Sequence, residues 1–165
     1  MESNKAIRKW SAMYKMPVYI PVAGRNAGWV EDFYFKRETN AIYALLISTR
    51  VEGERAVPVT GIQEVSENNV SLINEEMMTR SLYQLPLGST IMGQKVVGEN
   101  GNEVGTVGDV YVNIARPLAM HIEAFELGRS NGRRSSHARI FSADDVVSYD
   151  ENQIVIFDRV ARRLH

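Results

Sequence analysis

The feature that most restricts this chain is an eight-residue stretch that occurs twice. Gly28-Trp29-Val30-Glu31-Asp32-Phe33-Tyr34-Phe35 is echoed by Gly105-Thr106-Val107-Gly108-Asp109-Val110-Tyr111-Val112. Gly, Val, Asp and Tyr recur at one offset of 77 residues, the mark of an internal repeat, so the chain builds one structural unit twice. A chain of 165 residues then divides into two units of about 75 residues. A unit of that size buries only about 60% of its unfolded surface, so each must pack on the other or on a second chain.

The pattern around the echo is β throughout. Pro17 to Val22 reads as an edge strand, Trp29 to Phe35 as a strand, Ala41 to Thr49 as a mostly buried strand, and Arg55 to Val59 and Val70 to Ile73 as two more. In the first echoed strand, strict alternation puts Val30, Asp32 and Tyr34 on one face and Trp29, Glu31, Phe33 and Phe35 on the other. Lys36 to Asn40 is a tight polar turn in which Asn40 can take a left-handed backbone. The second half repeats the plan, with Asn100-Gly101 as a hairpin signal, a strand over Val104–Val112 and another over Leu118–Leu127. The late matches, Pro58 with Ser142 and Val70 with Ile154, sit at an offset of 84, which places a seven-residue insertion largely in an Arg-rich loop at 128–137. Asn74 is positioned to cap one helical turn, and Asp144-Asp145 to cap another. The expected core comprises Val30, Val107, Ile42 or Tyr43, Leu45, Ile47, Val70, Leu72, Ile154 and Ile156. The fold expected is all-β: an amphipathic arm over 1–15, a small barrel over 16–76, a linker over 77–91 and a second barrel over 92–160, with short helical turns in the arm and the linker.

Charge and composition narrow the function. Residues 1–85 carry 10 basic and 10 acidic side chains and residues 86–165 carry 9 and 10, which disfavours a dedicated nucleic-acid binder. The chain has no cysteine, so disulfides, thiolate metal sites and cysteine nucleophiles are excluded, and a cytoplasmic location is expected. The longest apolar run, Ala41 to Ile47, has seven residues, against the roughly 20 that span a bilayer. A basic, amphipathic arm leaves peripheral membrane contact open.

Candidate chemical groups are few. Asp32 and Asp109 are paired by the repeat, and Asp commonly accepts backbone N–H bonds at turns. His121, His137 and His165 lack metal-ligand spacing, so neither a metal nor a cofactor is expected. Ser135-Ser136-His137 are neighbours in a loop and cannot hold a nucleophile geometry. The glycines from Gly98 to Gly108 lack the Lys-Ser/Thr of a phosphate loop. One basic cluster stands out: Arg129, Arg133, Arg134 and Arg139, in a stretch with no acid and with no apolar residue from Gly128 to His137. Planar guanidinium groups on a loop suit carboxylate or phosphate recognition, so these four arginines are the expected partner-binding residues.

Each half resembles a PRC-barrel domain, the small β-barrel of the photosynthetic reaction centre H subunit and of the C-terminal half of a ribosome maturation factor. The resemblance is carried by Gly24, Gly28, Val30, Asp32, Pro58, Ile62 and Val70 in one copy, and by Gly101, Gly105, Val107, Asp109, Ser142, Val146 and Ile154 in the other. The family's usual Asp-x-x-Thr-Gly turn is replaced by Lys36–Asn40 and by Asn113–Pro117. What the resemblance implies is a non-enzymatic binding or scaffold protein that docks on another protein. An RNA- or ribosome-associated factor is the alternative, and an enzyme of unassigned type the third reading. A homodimer is also expected, because small barrels expose edge strands and Trp10 and Met77-Met78 offer apolar cover.

Overall fold

The computed structural model describes residues 6–80, 83–128 and 138–165. The described chain opens with a short strand β1 (Ile7–Lys9) and one helical turn α1 (Trp10–Met13). There follow β2 (Pro17–Ile20), β3 (Arg25–Phe35), β4 (Ile42–Ser48), β5 (Glu54–Pro58), β6 (Ile62–Val65) and β7 (Val70–Leu72). The second half supplies β8 (Lys95–Gly98), β9 (Glu103–Asn113), β10 (His121–Leu127), β11 (Ile140–Ser142), β12 (Val146–Tyr149) and β13 (Gln153–Ile156), and α2 (Asp158–Leu164) closes the chain. No helix among the described residues is long and apolar enough to cross a membrane.

The fold is mostly β, in two sheets. One runs β5-β4-β3-β2-β7-β6 and the other β11-β10-β9-β8-β13-β12. The two orders match strand for strand, and β2 runs parallel to β7 as β8 does to β13. The echoed stretches lie on β3 and β9, at the same place in each sheet. Pairing also locates the inserted residues. Phe35 pairs with Ile42 where Val112 pairs with Ile122, so the offset of 77 on β3/β9 becomes 80 on β4/β10. Ala44 pairs with Pro58 where Ala124 pairs with Ser142, and there it reaches 84. Three of the seven extra residues therefore lie between β9 and β10, which leaves four for the Arg-rich segment.

Strict alternation fails on β3. Val30 pairs with Ile47 and Asp32 with Leu46, so Glu31 is an extra, bulged residue. The slip puts Val30, Phe33 and Phe35 together in the main core and turns Asp32 and Tyr34 to the other face. The same slip on β9 gathers Val107, Val110 and Val112. The expected core is otherwise as read: Val30, Val107, Leu45, Ile47, Val70, Leu72, Ile154 and Ile156 are buried, and of the pair left open Ile42 is inside and Tyr43 outside. Two expected caps differ. Asn74 makes no side-chain cap bond to the 3₁₀ turn Glu75–Met77, and its buried Oδ1 has no partner among the described residues. At the turn Ala143–Asp145 the cap is Ser142, whose Oγ accepts the Asp144 N–H, while Asp145 lies 3.7 Å from Arg159.

The described ends of the expected arm and linker, residues 6–15 and 83–91, are equivalent pieces of the repeat, and each sits on the other half. β1 pairs with β9, Lys9 opposite Tyr111. The corresponding residues of the linker pair with β3, Leu87 opposite Tyr34. The Lys15 N–H then bonds the Val30 carbonyl at 2.8 Å, as the Gly93 N–H bonds that of Val107 at 2.8 Å. Gly93 supplies the left-handed backbone this requires (φ 83°), and Lys15 adopts it at φ 65°. Where the halves meet, the Ile42 N–H bonds the Met120 carbonyl and the Ile122 N–H bonds the Asn40 carbonyl. One continuous apolar core, from Trp10 to Leu164, runs through both halves.

Packing at the exchanged turns is matched in size. A Cβ on Gly88 would lie 2.1 Å from the Phe33 ring. At the equivalent places of the other half stand Trp10 and Val110, and the Trp10 ring meets Phe33 edge-on with centroids 4.9 Å apart. Gly88→Ala should therefore destabilise the chain by about 1–3 kcal/mol, as overpacking does, and Phe33→Leu should recover part of the loss. Denaturant midpoints of the two single variants and the double variant measure this. Leu45→Ala, in the middle of β4, should cost about 2–5 kcal/mol, and an unchanged thermal midpoint would refute its place in the core.

Candidate functional site

The two carboxylates singled out by the repeat are the buried charged residues among the described ones, Asp32 at 5% and Asp109 at 7% exposure. A buried carboxylate is tolerated only when hydrogen bonds replace its water. Asp32 Oδ1 accepts the Phe33 N–H at 2.8 Å and the Ser89 N–H at 3.1 Å. Asp109 Oδ1 accepts the Val110 N–H at 2.8 Å and the Ser11 N–H at 3.2 Å, and Oδ2 accepts the Ser11 hydroxyl at 2.5 Å. Each carboxylate thus binds the lead-in turn of the opposite half. The expected backbone-bonding role is what these groups perform, across the repeat boundary rather than within one turn.

The expected partner-binding arginines divide. Arg129, Arg133 and Arg134 lie outside the described residues. Arg139 is half-buried, with Nη1 3.3 Å from the carbonyls of Val104 and Leu164 and Nη2 3.5 Å from that of Gly128. Its guanidinium ties β9, the end of α2 and the start of the basic segment to one another. His121 is half-exposed, with Nε2 2.7 Å from Glu123 Oε2 and Nδ1 2.8 Å from the Ala119 carbonyl. No group of three or more His, Asp or Glu among the described residues is placed to hold a metal ion.

Two surface features were not read from the sequence. On the outer face of the first sheet, Tyr83 packs edge-on against Tyr34 (5.6 Å) and Tyr43 (4.9 Å), with Lys36 Nζ 5.2 Å from the Tyr43 ring. Burial pushes the Tyr34 and Tyr83 phenols above their ordinary range. The second feature is a cleft of about 420 Å³ between the β3–β4 turn and β12, lined among others by Arg37, Glu38, Asn40, Val147 and Tyr149. At its base the Tyr149 hydroxyl donates to Asn40 Oδ1, while the Tyr149 ring lies against Phe35 and Phe125. Asn40 has the left-handed backbone expected of it, φ 61°. The pair is 109 residues apart in sequence. The signal that could have found it is the offset of 80, which sets Asn40 opposite Met120 in the repeat.

No protein-family model matches the chain, and no curated protein is significantly similar to it.

Burial raises the Tyr149 phenol well above its ordinary value. Above about pH 10 the unfolded chain gives up this proton while the folded chain keeps it, so the unfolded state binds fewer protons and stability falls as pH rises. The slope from one such group is at most about 1.4 kcal/mol per pH unit. Tyr34 and Tyr83 add smaller terms of the same sign. Tyr149→Phe should flatten the fall in unfolding free energy between about pH 10 and pH 11.5, and an unchanged slope would mean that the phenol is solvated.

Proposed function

We propose that this chain is a non-enzymatic protein-binding module, built from two PRC-barrel-like repeats, that docks on another protein. The observation that carries this reading is the unequal treatment of sheet edges. In the first sheet, Thr79 exchanges main-chain bonds with Ala56 on the outer side of β5, and the 3₁₀ turn Pro117–Ala119 lies against β6. In the second sheet, β11 pairs only with β10 and β12 only with β13 among the described residues. Both edges also expose an aliphatic side chain, Ile140 at 37% and Val147 at 44%. Unpaired edges with exposed aliphatics are surfaces on which another polypeptide can settle.

The carboxylates support the same reading. Asp32 and Asp109 are engaged by N–H groups of the fold and hold its two halves together. Arg129, Arg133 and Arg134 are the proposed acid-recognising residues of this module, and Arg139 anchors the start of β11.

Capture of partners by the tagged full chain, with and without nuclease, tests the proposal. A protein partner should be retained after nuclease treatment. Replacing Arg133 and Arg134 with Ala should reduce its yield, with the largest loss at low salt. A partner released by nuclease would favour the RNA-associated alternative. Equal recovery by the double variant would remove the basic segment from the contact.

A further inference from the structure

The two repeats differ most sharply at the ends where the halves meet. At one end the repeat places Met120 and Val65, both buried in the common core. At the other it places Asn40 and Tyr149, a polar pair bonded to each other. The connections differ as well. Between the equivalent pairs Val112/Ile122 and Phe35/Ile42, the second repeat carries three more residues than the first, and they form the 3₁₀ turn Pro117–Ala119, which rests on β6 and on the turn Val59–Gly61. The shorter β3–β4 turn has no such piece, and the 420 Å³ cleft beside β12 opens at the equivalent position. The edges themselves are alike. Both β6 and β12 carry a one-residue bulge, at Gln63 and at Val147. One edge is therefore met by a 3₁₀ turn of this chain, and the same edge on the other repeat borders a cleft.

We propose that the cleft between the β3–β4 turn and β12 seats a short polypeptide segment of a partner protein, apolar in part and carrying a carboxylate that binds Arg37. The proposal rests on the docking reading above and assigns it a site. That the occupant is polypeptide follows from the sister edge, where residues 117–119 already occupy this position. That it carries a carboxylate follows from the donors the turn offers. Arg37 is half-buried, and no hydrogen bond or ion pair engages it among the described residues. Asn40 uses its Oδ1 for Tyr149, which leaves its amide N–H groups to donate. A guanidinium beside an amide donor is a receptor for a single carboxylate. Glu38 lines the same cleft, and Asp144 and Asp145 follow its lining residue Ala143 in the chain. Those acids oppose a polyanion such as a nucleic-acid backbone. The apolar requirement comes from Ala143, Val146 and Val147 on the facing wall.

The test uses the full chain and a displayed library of random twelve-residue peptides. Selected peptides should share an Asp or Glu beside aliphatic residues. They should raise hydrogen-exchange protection at residues 146–149 and lose about tenfold or more in affinity to Arg37→Glu. Val147→Arg fills the cleft from the other wall, at an exposed side chain that folding does not need, and should also abolish binding. Selected peptides that bind both variants as tightly as the parent chain overturn the proposal, and so does protection confined to the tyrosine cluster or to β11. A library that yields no binder overturns it too. Protection of 146–149 that grows with the concentration of the chain alone would make a second copy the occupant and would likewise overturn it. None of these failures touches the docking reading, which falls only if the parent chain captures no protein partner after nuclease treatment.

Discussion

Two buried carboxylates join the halves of this protein. Asp32 and Asp109 each stand on the echoed strand of one repeat and accept the N–H of the serine that leads into the other, Ser89 and Ser11. Taking a carboxylate out of water costs several kcal/mol unless N–H and O–H groups replace that water. Either repeat alone would lack the donor from the opposite lead-in. It would also lack the strand-edge partner, since β1 covers β9 and Leu87 covers Tyr34 on β3. The exchange explains how two units that are each small for independent stability form one structure with one core. It also shows why residues 6–15 and 83–91, within the stretches that read as an arm and a linker, are parts of the repeat.

The all-β character and the core were legible because their signals are local. The echoed Gly, Val, Asp and Tyr fixed β3 and β9, and the apolar run through Leu45 and Ile47 fixed β4. The bulge at Glu31 was not legible. One extra residue leaves the composition of a strand unchanged while turning everything beyond it to the opposite face. The exchange of lead-ins was hidden for another reason. Around Ser11 and Ser89 the copies share little, because Trp10 in one stands where Gly88 stands in the other. That difference makes sense only beside its complement, Val110 in place of Phe33, on a strand far away in sequence. The Asn40–Tyr149 pair of the candidate site was missed because its signal is a difference between the copies: Asn40 stands opposite Met120 only at the offset of 80, which strand pairing reveals.

These two departures from symmetry are different in kind. A large residue against a small one in each half, Phe33 with Gly88 and Val110 with Trp10, keeps the total volume of the core near constant. Cores tolerate such exchanges when volume and pattern are kept, so this one follows from packing alone. Replacing Met120 and Val65 by Asn40 and Tyr149 follows no such rule. It puts polar atoms where the sister end is apolar, and a buried polar group must be hydrogen-bonded merely to break even. The Tyr149 hydroxyl and the Asn40 carbonyl oxygen satisfy each other, and the Asn40 amide N–H groups are left over.

Local departures from the best packing concentrate where a protein has work to do, because elsewhere nothing offsets their cost. In this chain the departure coincides with a shortened connection, an edge strand that borders a cleft and an arginine that no hydrogen bond or ion pair engages among the described residues. Each has an ordinary explanation when taken alone: a turn loses residues, an edge strand ends a sheet, an arginine faces water. Their meeting in one cleft is harder to dismiss, because on the sister repeat Met120 and Val65 are apolar and buried and the turn Pro117–Ala119 lies against β6. The repeat acts as an internal control. Both edges share one strand order and one bulge, so the requirements of the fold are met at β6 and β12 alike. What remains different at β12 is therefore free of those requirements, and a ligand can account for it.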